Sequence, residues 1–332
     1  MESSRAARRN HRARPSRRRP LLYTALATVA VVGATAAGTV YVKAQAHSGP
    51  VSSAAAPSAS ASGGGEATVE PVTQPTVDYD ALLAKAMKAV TPTGDQKVSV
   101  AVLDVDSGES ATYGGAAYDT ASIVKVDILA TLLLQAQDAG RQLTVTEKSY
   151  ATTMIENSDN DSATALWNSI GTADGLDAAN KTFGLTGTTG GDGPLWGLTQ
   201  TTAADQLTLL QQVFGDDSKL SAASKSYLQG LMGKIEADQQ WGVSAAAEGS
   251  RWRLKNGWLA RSTTGLWDVN SIGRVTAADG HEYLIAVLSK GSTTQAKGIT
   301  LIEAAAKAAV SAFAGSDSSA TASASASASA TD

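Results

Sequence analysis

A chain of 332 residues, 43% of them hydrophobic, has room for one large domain or two small ones with a sizeable core. It has no cysteine, which excludes disulfides, a thiol nucleophile and thiolate metal sites. The net charge of −4 is unevenly spread: residues 1–20 carry eight arginines and one glutamate, and the rest carries 19 basic and 30 acidic residues, an acidic body ill-suited to nucleic acid.

The arginine-rich segment 1–20 leads into residues 21–42, which contain no charged residue. A positive flank followed by an apolar run of spanning length signals export or membrane insertion. The expected form is a transmembrane anchor with the arginines cytoplasmic and everything after it outside. Ser16-Arg17-Arg18-Arg19-Pro20-Leu21-Leu22 also has the look of a loose twin-arginine signal, and Ala44-Gln45-Ala46 offers a cleavage site; secretion after cleavage is the alternative. Residues 43–77, rich in Ala, Ser, Gly and Pro, read as a disordered linker, and 315–332, ending in alternating Ala and Ser, as a disordered tail.

Residues 78–314 read as one domain. A helix is expected over 79–90, then a strand over 98–105, a turn at Asp106-Ser107-Gly108 and a short partner strand at 111–113. Helices follow. The first, over 123–134, is apolar nearly all round, the mark of a helix buried at the middle of a domain, with Asp119 and Thr120 as its caps and Gly140 as its end. Thr144-Val145-Thr146-Glu147 is a capping box opening a helix over 144–155, and Thr202-Ala203-Ala204-Asp205 a similar one opening 203–214; further helices are expected over 162–169, 173–183 and 222–236. Strands over 251–256, 266–275 and 281–289 and a closing helix over 295–313 complete the domain. The order implies an α/β fold of the α+β type: an antiparallel sheet flanked by terminal helices, with an inserted all-helical subdomain and a ligand cleft between the layers.

Ser122 and Lys125 stand three apart at the start of the apolar helix and share a face. A lysine among aliphatic side chains loses hydration, which lowers its pKa and lets a neutral amine serve as base to a nearby hydroxyl. Taken alone, Ser122 is equally a cap. Ser158-Asp159-Asn160 could relay a proton and hold a carbonyl, or be an ordinary turn; Lys255-Asn256-Gly257 could bind a carboxylate at a strand end, or also be a turn. Only three histidines occur; His11 and His47 lie outside the folded region, and His281 follows the hairpin signal Asp279-Gly280 as an exposed strand-end residue, so a Ser-His-Asp triad or a histidine zinc site has little to work with.

Ser-x-x-Lys on a buried helix, then Ser-Asp-Asn, then Lys-x-Gly on a late strand resembles the ordered signature of class A β-lactamases and penicillin-recognising serine hydrolases. The similarity runs over about 79–315, and Thr201-Thr202 and the strand 267–273 also look like family positions. The resemblance implies a β-lactamase/transpeptidase-like fold, no cofactor and no metal, and a monomer acting on a small-molecule β-lactam or a peptidoglycan-derived peptide. It implies Ser122 as nucleophile, Lys125 as its base, and Ser158 as the donor to the departing nitrogen. It further implies Asn160 orienting substrate, Lys255 and Asn256 on the substrate carboxylate, Gly257 allowing close approach, and the backbone N–H groups of Ser122 and Trp258 as oxyanion hole. Arg261 or Arg274 could add a second positive charge. Two departures stand out: the usual middle Thr of Lys-Thr-Gly is Asn256, and no Glu occurs between residues 157 and 200, where class A enzymes keep the acid that activates the deacylating water. Asp192 is the one acid near that place, and equally a turn residue in a glycine-rich loop. The expected activity is acylation by β-lactams with slow hydrolysis. A D,D-peptidase or esterase acting on cell-wall peptides, and a non-catalytic wall-binding or penicillin-sensing module, are the alternatives.

Overall fold

The computed structural model describes residues 77–328, so the arginine-rich segment, the apolar run 21–42 and nearly all of the linker lie outside the described residues. The domain opens with α1 (Tyr79–Ala86), whose first turn is capped by the Asp78 carboxylate accepting from the Ala81 N–H at 2.9 Å. β1 (Lys97–Asp104) and β2 (Ser110–Tyr113) form the first hairpin. Near the end of the chain come β5 (Trp252–Ala260), β6 (Trp267–Thr276), β7 (Glu282–Ser292) and α8 (Gln295–Ala328). These strands join into one antiparallel sheet of order β2-β1-β7-β6-β5, so that β5 is an edge.

Side chains alternate across a strand, and the alternation divides the core in two. Val98, Val100 and Val102 of β1, Ile285 and Val287 of β7 and Leu254 of β5 pack against α1 and α8. Ala101, Ile272, Leu284, Ala286 and Leu288 face the helices inserted between β2 and β5. Those helices are α2 (Val124–Asp138), α3 (Val145–Glu156), α4 (Asn160–Ile170), α5 (Thr172–Phe183), α6 (Ala203–Phe214) and α7 (Ala222–Met232). A two-stranded ribbon of β3 (Tyr118–Asp119) and β4 (Gln200–Thr201) ties the start of the block to its middle.

α2 is buried nearly all round, as its composition implies, and even Lys125, Asp127 and Thr131 are enclosed. It ends where Gly140 takes a φ of +61° and the Arg141 N–H reaches back to the Ala136 carbonyl at 2.9 Å, a closure that favours glycine. The Thr144–Glu147 capping box is present in both directions, at 3.1 and 2.7 Å. At Thr202 only half of one forms: its hydroxyl accepts from the Asp205 N–H, but the Asp205 carboxylate accepts from the Gly187 N–H and the Thr188 hydroxyl instead.

Three other expectations need correcting. Asp119 and Thr120 make no side-chain cap; a 3-10 turn, Ala121–Ile123, precedes α2, and the Asp119 carboxylate is drawn off by Arg261 and Gln200. β5 does not stop at Asn256 but runs on to Ala260, because all nine of its residues pair with β6. Finally, α8 continues beyond Phe313 through Ala328, into the stretch expected as a tail without regular structure; alanine is the best helix former, and after Gly315 the run contains neither proline nor glycine to break it.

Candidate active site

Ser122 sits in the middle of the 3-10 turn between β3 and α2, and three features fix that turn. Asn270, on the helix-facing side of β6 and wholly buried, donates to the Asp119 and Thr120 carbonyls at 2.9 and 3.0 Å while its own carbonyl accepts from the Ser289 N–H. Gly257 of β5 lies against the turn so closely that a Cβ there would stand 2.7 Å from the Ser122 nitrogen and 2.7 Å from the Thr120 carbonyl oxygen. Ala121 is held at a φ of +48°, a left-handed conformation unusual for a residue with a side chain. Ser158, on the facing turn between α3 and α4, has a similar φ of +57°. Conformations of this kind cost on the order of 1–3 kcal/mol and persist only where the surroundings impose them.

Lys125 emerges one turn into the chain after Ser122 and is fully buried. Its Nζ lies 3.0 Å from Ser122 Oγ, 2.6 Å from the Ser158 carbonyl oxygen, 3.1 Å from Ser158 Oγ and 2.8 Å from Asn160 Oδ1. The two shortest contacts are to oxygens that can only accept. A neutral amine has two N–H bonds for them, and its lone pair is then left facing the hydroxyls. Burial pushes the Lys125 pKa down to about 7, against an opposing pull from Asp159. Asp159 is itself engaged as the cap of α4, its Oδ1 accepting from the Ser162 N–H at 2.7 Å.

Lys255 completes the cluster. Its Nζ donates to Ser158 Oγ at 3.0 Å and to the Asn256 carbonyl at 2.9 Å, so Ser158 Oγ stands between two amines. Burial, and then the neighbouring Lys125, hold the Lys255 pKa well below its ordinary value. Ser122, Lys125, Ser158, Asn160 and Lys255 are thus brought together from three separate stretches of the chain.

Asn256 does not join them. The period of two along β5 that turns Lys255 and Gly257 toward Ser122 sends the Asn256 side chain to the other face, where its amide donates to the Gln239 and Trp241 carbonyls at 2.7 and 2.9 Å. It anchors a loop under the strand instead of meeting a carboxylate. Gly257 likewise makes room for the turn that carries Ser122, not for a substrate backbone. The Trp258 side chain packs on Trp241, with ring centroids 5.7 Å apart, although the residue borders the cavity beside Ser122.

That cavity holds about 610 Å³, floored by Ser122 and Asn160, with walls from Pro194 to Leu198 and from Trp258 to Thr263. Among the described residues, none of those lining it is a carboxylate. Asp192 is exposed on the loop and does not border the cavity; its backbone carbonyl is used in the turn with the Leu195 N–H. Arg261 does border it, paired with Asp119, whereas Arg274 lies in another groove, paired with Glu282. Thr201 is buried behind, between the Thr188 hydroxyl and the Gln206 amide. His281 stands at the start of β7 with its Nδ1 3.0 Å from Asp104 Oδ2 and near Asp106; none of the three borders the cavity. The sequence reading missed Trp196, whose ring centroid lies 4.9 Å from Lys125 Nζ. Its one signal was a large aromatic residue within a run of Gly, Pro and Thr.

The model of the Beta-lactamase enzyme family matches residues 133–313, more than half of the chain. This chain belongs to the beta-lactamase enzyme family. The match begins just beyond Ser122 and Lys125 and takes in Ser158, Asn160 and Lys255. Among solved structures, the chain is similar to a mutant of PBP-A as an acyl-enzyme complex with penicillin G, with 21% identity over 70% of this chain and 96% of that one and a TM-score of 0.60. It is also similar to a class A beta-lactamase from Bacteroides cellulosilyticus, with 17% identity, coverage of 72% and 99% and a TM-score of 0.62. The TLA-3 extended-spectrum beta-lactamase matches with 16% identity, coverage of 70% and 98% and a TM-score of 0.62. These identities speak for the fold, which is the β-lactamase/transpeptidase-like one. None of the curated proteins compared with the chain matches it.

Proposed function

We propose that this protein is a serine hydrolase that is acylated on Ser122 by β-lactams and releases the acyl group slowly. The observation that carries the reading is Lys125: a fully buried amine whose N–H bonds have two carbonyl acceptors and whose remaining contacts are the hydroxyls of Ser122 and Ser158. In this reading Ser122 Oγ attacks the lactam carbonyl carbon as Lys125 takes its proton. The N–H groups of Ser122 and Trp258 receive the developing oxyanion. Collapse breaks the C–N bond, the lactam nitrogen takes the Ser158 hydroxyl proton, and Lys125 returns its proton to Ser158. An ester on Ser122 and an opened ring result. Arg261 supplies positive charge for the substrate carboxylate and Lys255 its N–H donors, and Asn160 orients both substrate and Lys125.

Release needs water and a base. A positioned acid–base group is typically worth about 10²–10⁴-fold, and no carboxylate among the described residues borders this cavity. The test is intact-mass measurement after exposure to penicillin G. The expected result is a single adduct on wild type that persists for many minutes and is absent from Ser122→Ala. No adduct on wild type, or an adduct that also forms on Ser122→Ala, would refute the reading.

A second reading has one observation in its favour. β5 is an edge strand whose end borders the cavity, and an edge can pair with an extended peptide. Acting on cell-wall peptides ending in D-Ala-D-Ala would use the same residues, and release of D-alanine without penicillin turnover would mark it. We place the domain outside the cytoplasm, held by residues 21–42, on the strength of their composition; among the described residues no helix is long and apolar enough to cross a membrane. Protease shaving of intact cells that left the domain untouched would contradict that placement.

A further inference from the structure

The loop that supplies one wall of the cavity is built to hold an indole in one place. Gly191 could carry no side chain, since a Cβ there would lie 2.1 Å from the Leu195 carbonyl oxygen. Its N–H donates to Thr199 Oγ1 at 3.1 Å, and the Trp167 indole N–H donates to the Gly193 carbonyl at 2.8 Å. Residues Trp196–Leu198 then form a 3-10 turn, with the Leu198 and Thr199 N–H groups donating to the Leu195 and Trp196 carbonyls. The Trp196 indole N–H donates to Thr164 Oγ1 on α4 at 3.2 Å, which sets the ring over Lys125. A ring fixed at both its backbone and its nitrogen is a rigid part of the site.

Its position matters for the second half of the reaction. Ser122, Ser158 and Asn160 cover the polar contacts of Lys125, and the indole face covers a further side. Lys125 and Lys255 are both buried, so a water seeking either amine as base must pass what covers them. Leu195 and Leu198, bordering the cavity beside Trp196, offer such a water no hydrogen bond from their side chains.

We infer that Trp196 is a positioning residue that keeps hydrolytic water from Lys125 and thereby prolongs the life of the acyl-enzyme. The inference rests on the acylation reading above. The step it slows is attack of a water oxygen on the ester carbon, with the water proton passing to Lys125, the bond from the ester carbon to Ser122 Oγ breaking, and the proton returning to Ser122 Oγ. Acylation needs no water at that place, so it is left to proceed.

The test follows the penicilloyl adduct by intact mass in full-length wild type and Trp196→Ala. The variant should still form the Ser122 adduct, more slowly near neutral pH as hydration returns to Lys125, and should lose the formed adduct about tenfold faster, below the full range for a dedicated base because none is added. Added hydroxylamine should speed release from the formed adduct more steeply in the variant, a response to an opened path that a slower acylation step alone would not give. Trp196→Leu, which keeps an apolar side chain of smaller reach, should release faster than wild type too, and decides the matter if Trp196→Ala does not fold. Release at the wild-type rate from whichever variant is folded overturns the inference while leaving acylation intact. Absence of any adduct on wild type overturns the function reading itself, and so the two failures are distinguishable.

Discussion

The two faces of the sheet are built on different terms. Toward α1 and α8 the strands present mostly aliphatic side chains, with Ala305, Ala306 and Ala309 letting the helix lie close. Toward the inserted helices the same strands present Lys255, Gly257 and Asn270 among the aliphatics, and the facing helix contributes Lys125 and Asp127, all buried. Burying such groups is costly unless each finds a partner. One face stabilises the domain; the other gives up stability to hold two buried amines below their ordinary pKa and a turn in a strained conformation.

The sharpest way to break the comparison is to remove the base. Lys125→Met keeps most of the volume and should lower the acylation rate constant by about 10²–10⁴-fold, measured by rapid-quench mass spectrometry. In wild type the same rate should climb as pH rises through about 7, because the amine is competent only after it loses its proton. A flat profile across that range would count against Lys125 as base. Next comes Gly257→Ala. The added carbon meets backbone rather than the end of a flexible chain, so the Ser122 turn must move, and displacements of about 1 Å near reacting atoms cost on the order of 10²-fold.

On the aliphatic face, Ile285→Ala should cost about 2–5 kcal/mol in urea unfolding while the folded fraction still acylates at the wild-type rate. A matching loss of acylation would mean that the faces are coupled. The last effect has the opposite sign. Burial, with Asp177 and Asp205 adding repulsion, raises the Asp127 pKa to about 7 even though Asn180 lies beside it. Between about pH 4 and 7 the unfolded chain therefore loses a proton that the folded one keeps, and stability falls as pH rises through that window. Asp127→Asn should remove this decline and leave the variant more stable above that window, by about 4 kcal/mol at most.

Much of the stabilising face was legible because near-unbroken apolar runs mark β1 and β7, and an apolar, alanine-rich run marks α8. The buried course of α2, its Gly140 ending and the Thr144 capping box were legible too, since local chemistry decides them. The site was legible only as three short motifs. Which side of β5 each residue would take depended on the register with β6, and that is why Lys255 met Ser158 beside Ser122 while Asn256 turned away. The 3-10 turn at Ser122 was obscured by Asp119 and Thr120, good caps by composition whose carboxylate and carbonyls are claimed by Arg261 and Asn270, distant in the chain. Trp196 could be read only as an aromatic residue in a loop, because what matters is where its ring rests, and the loop sets that through Thr164 and Gly191.

Arg261 stands at the rim of the cavity already engaged to Asp119, a carboxylate three residues upstream of Ser122. An acidic guest must therefore win its guanidinium from an internal rival, and part of the attraction is spent in the exchange. Uncharged guests face no such competition. The entrance thus discriminates among visitors less by the charge they carry than a bare arginine would, and any visitor that does prise the pair apart also tugs on the strand leading directly to Ser122.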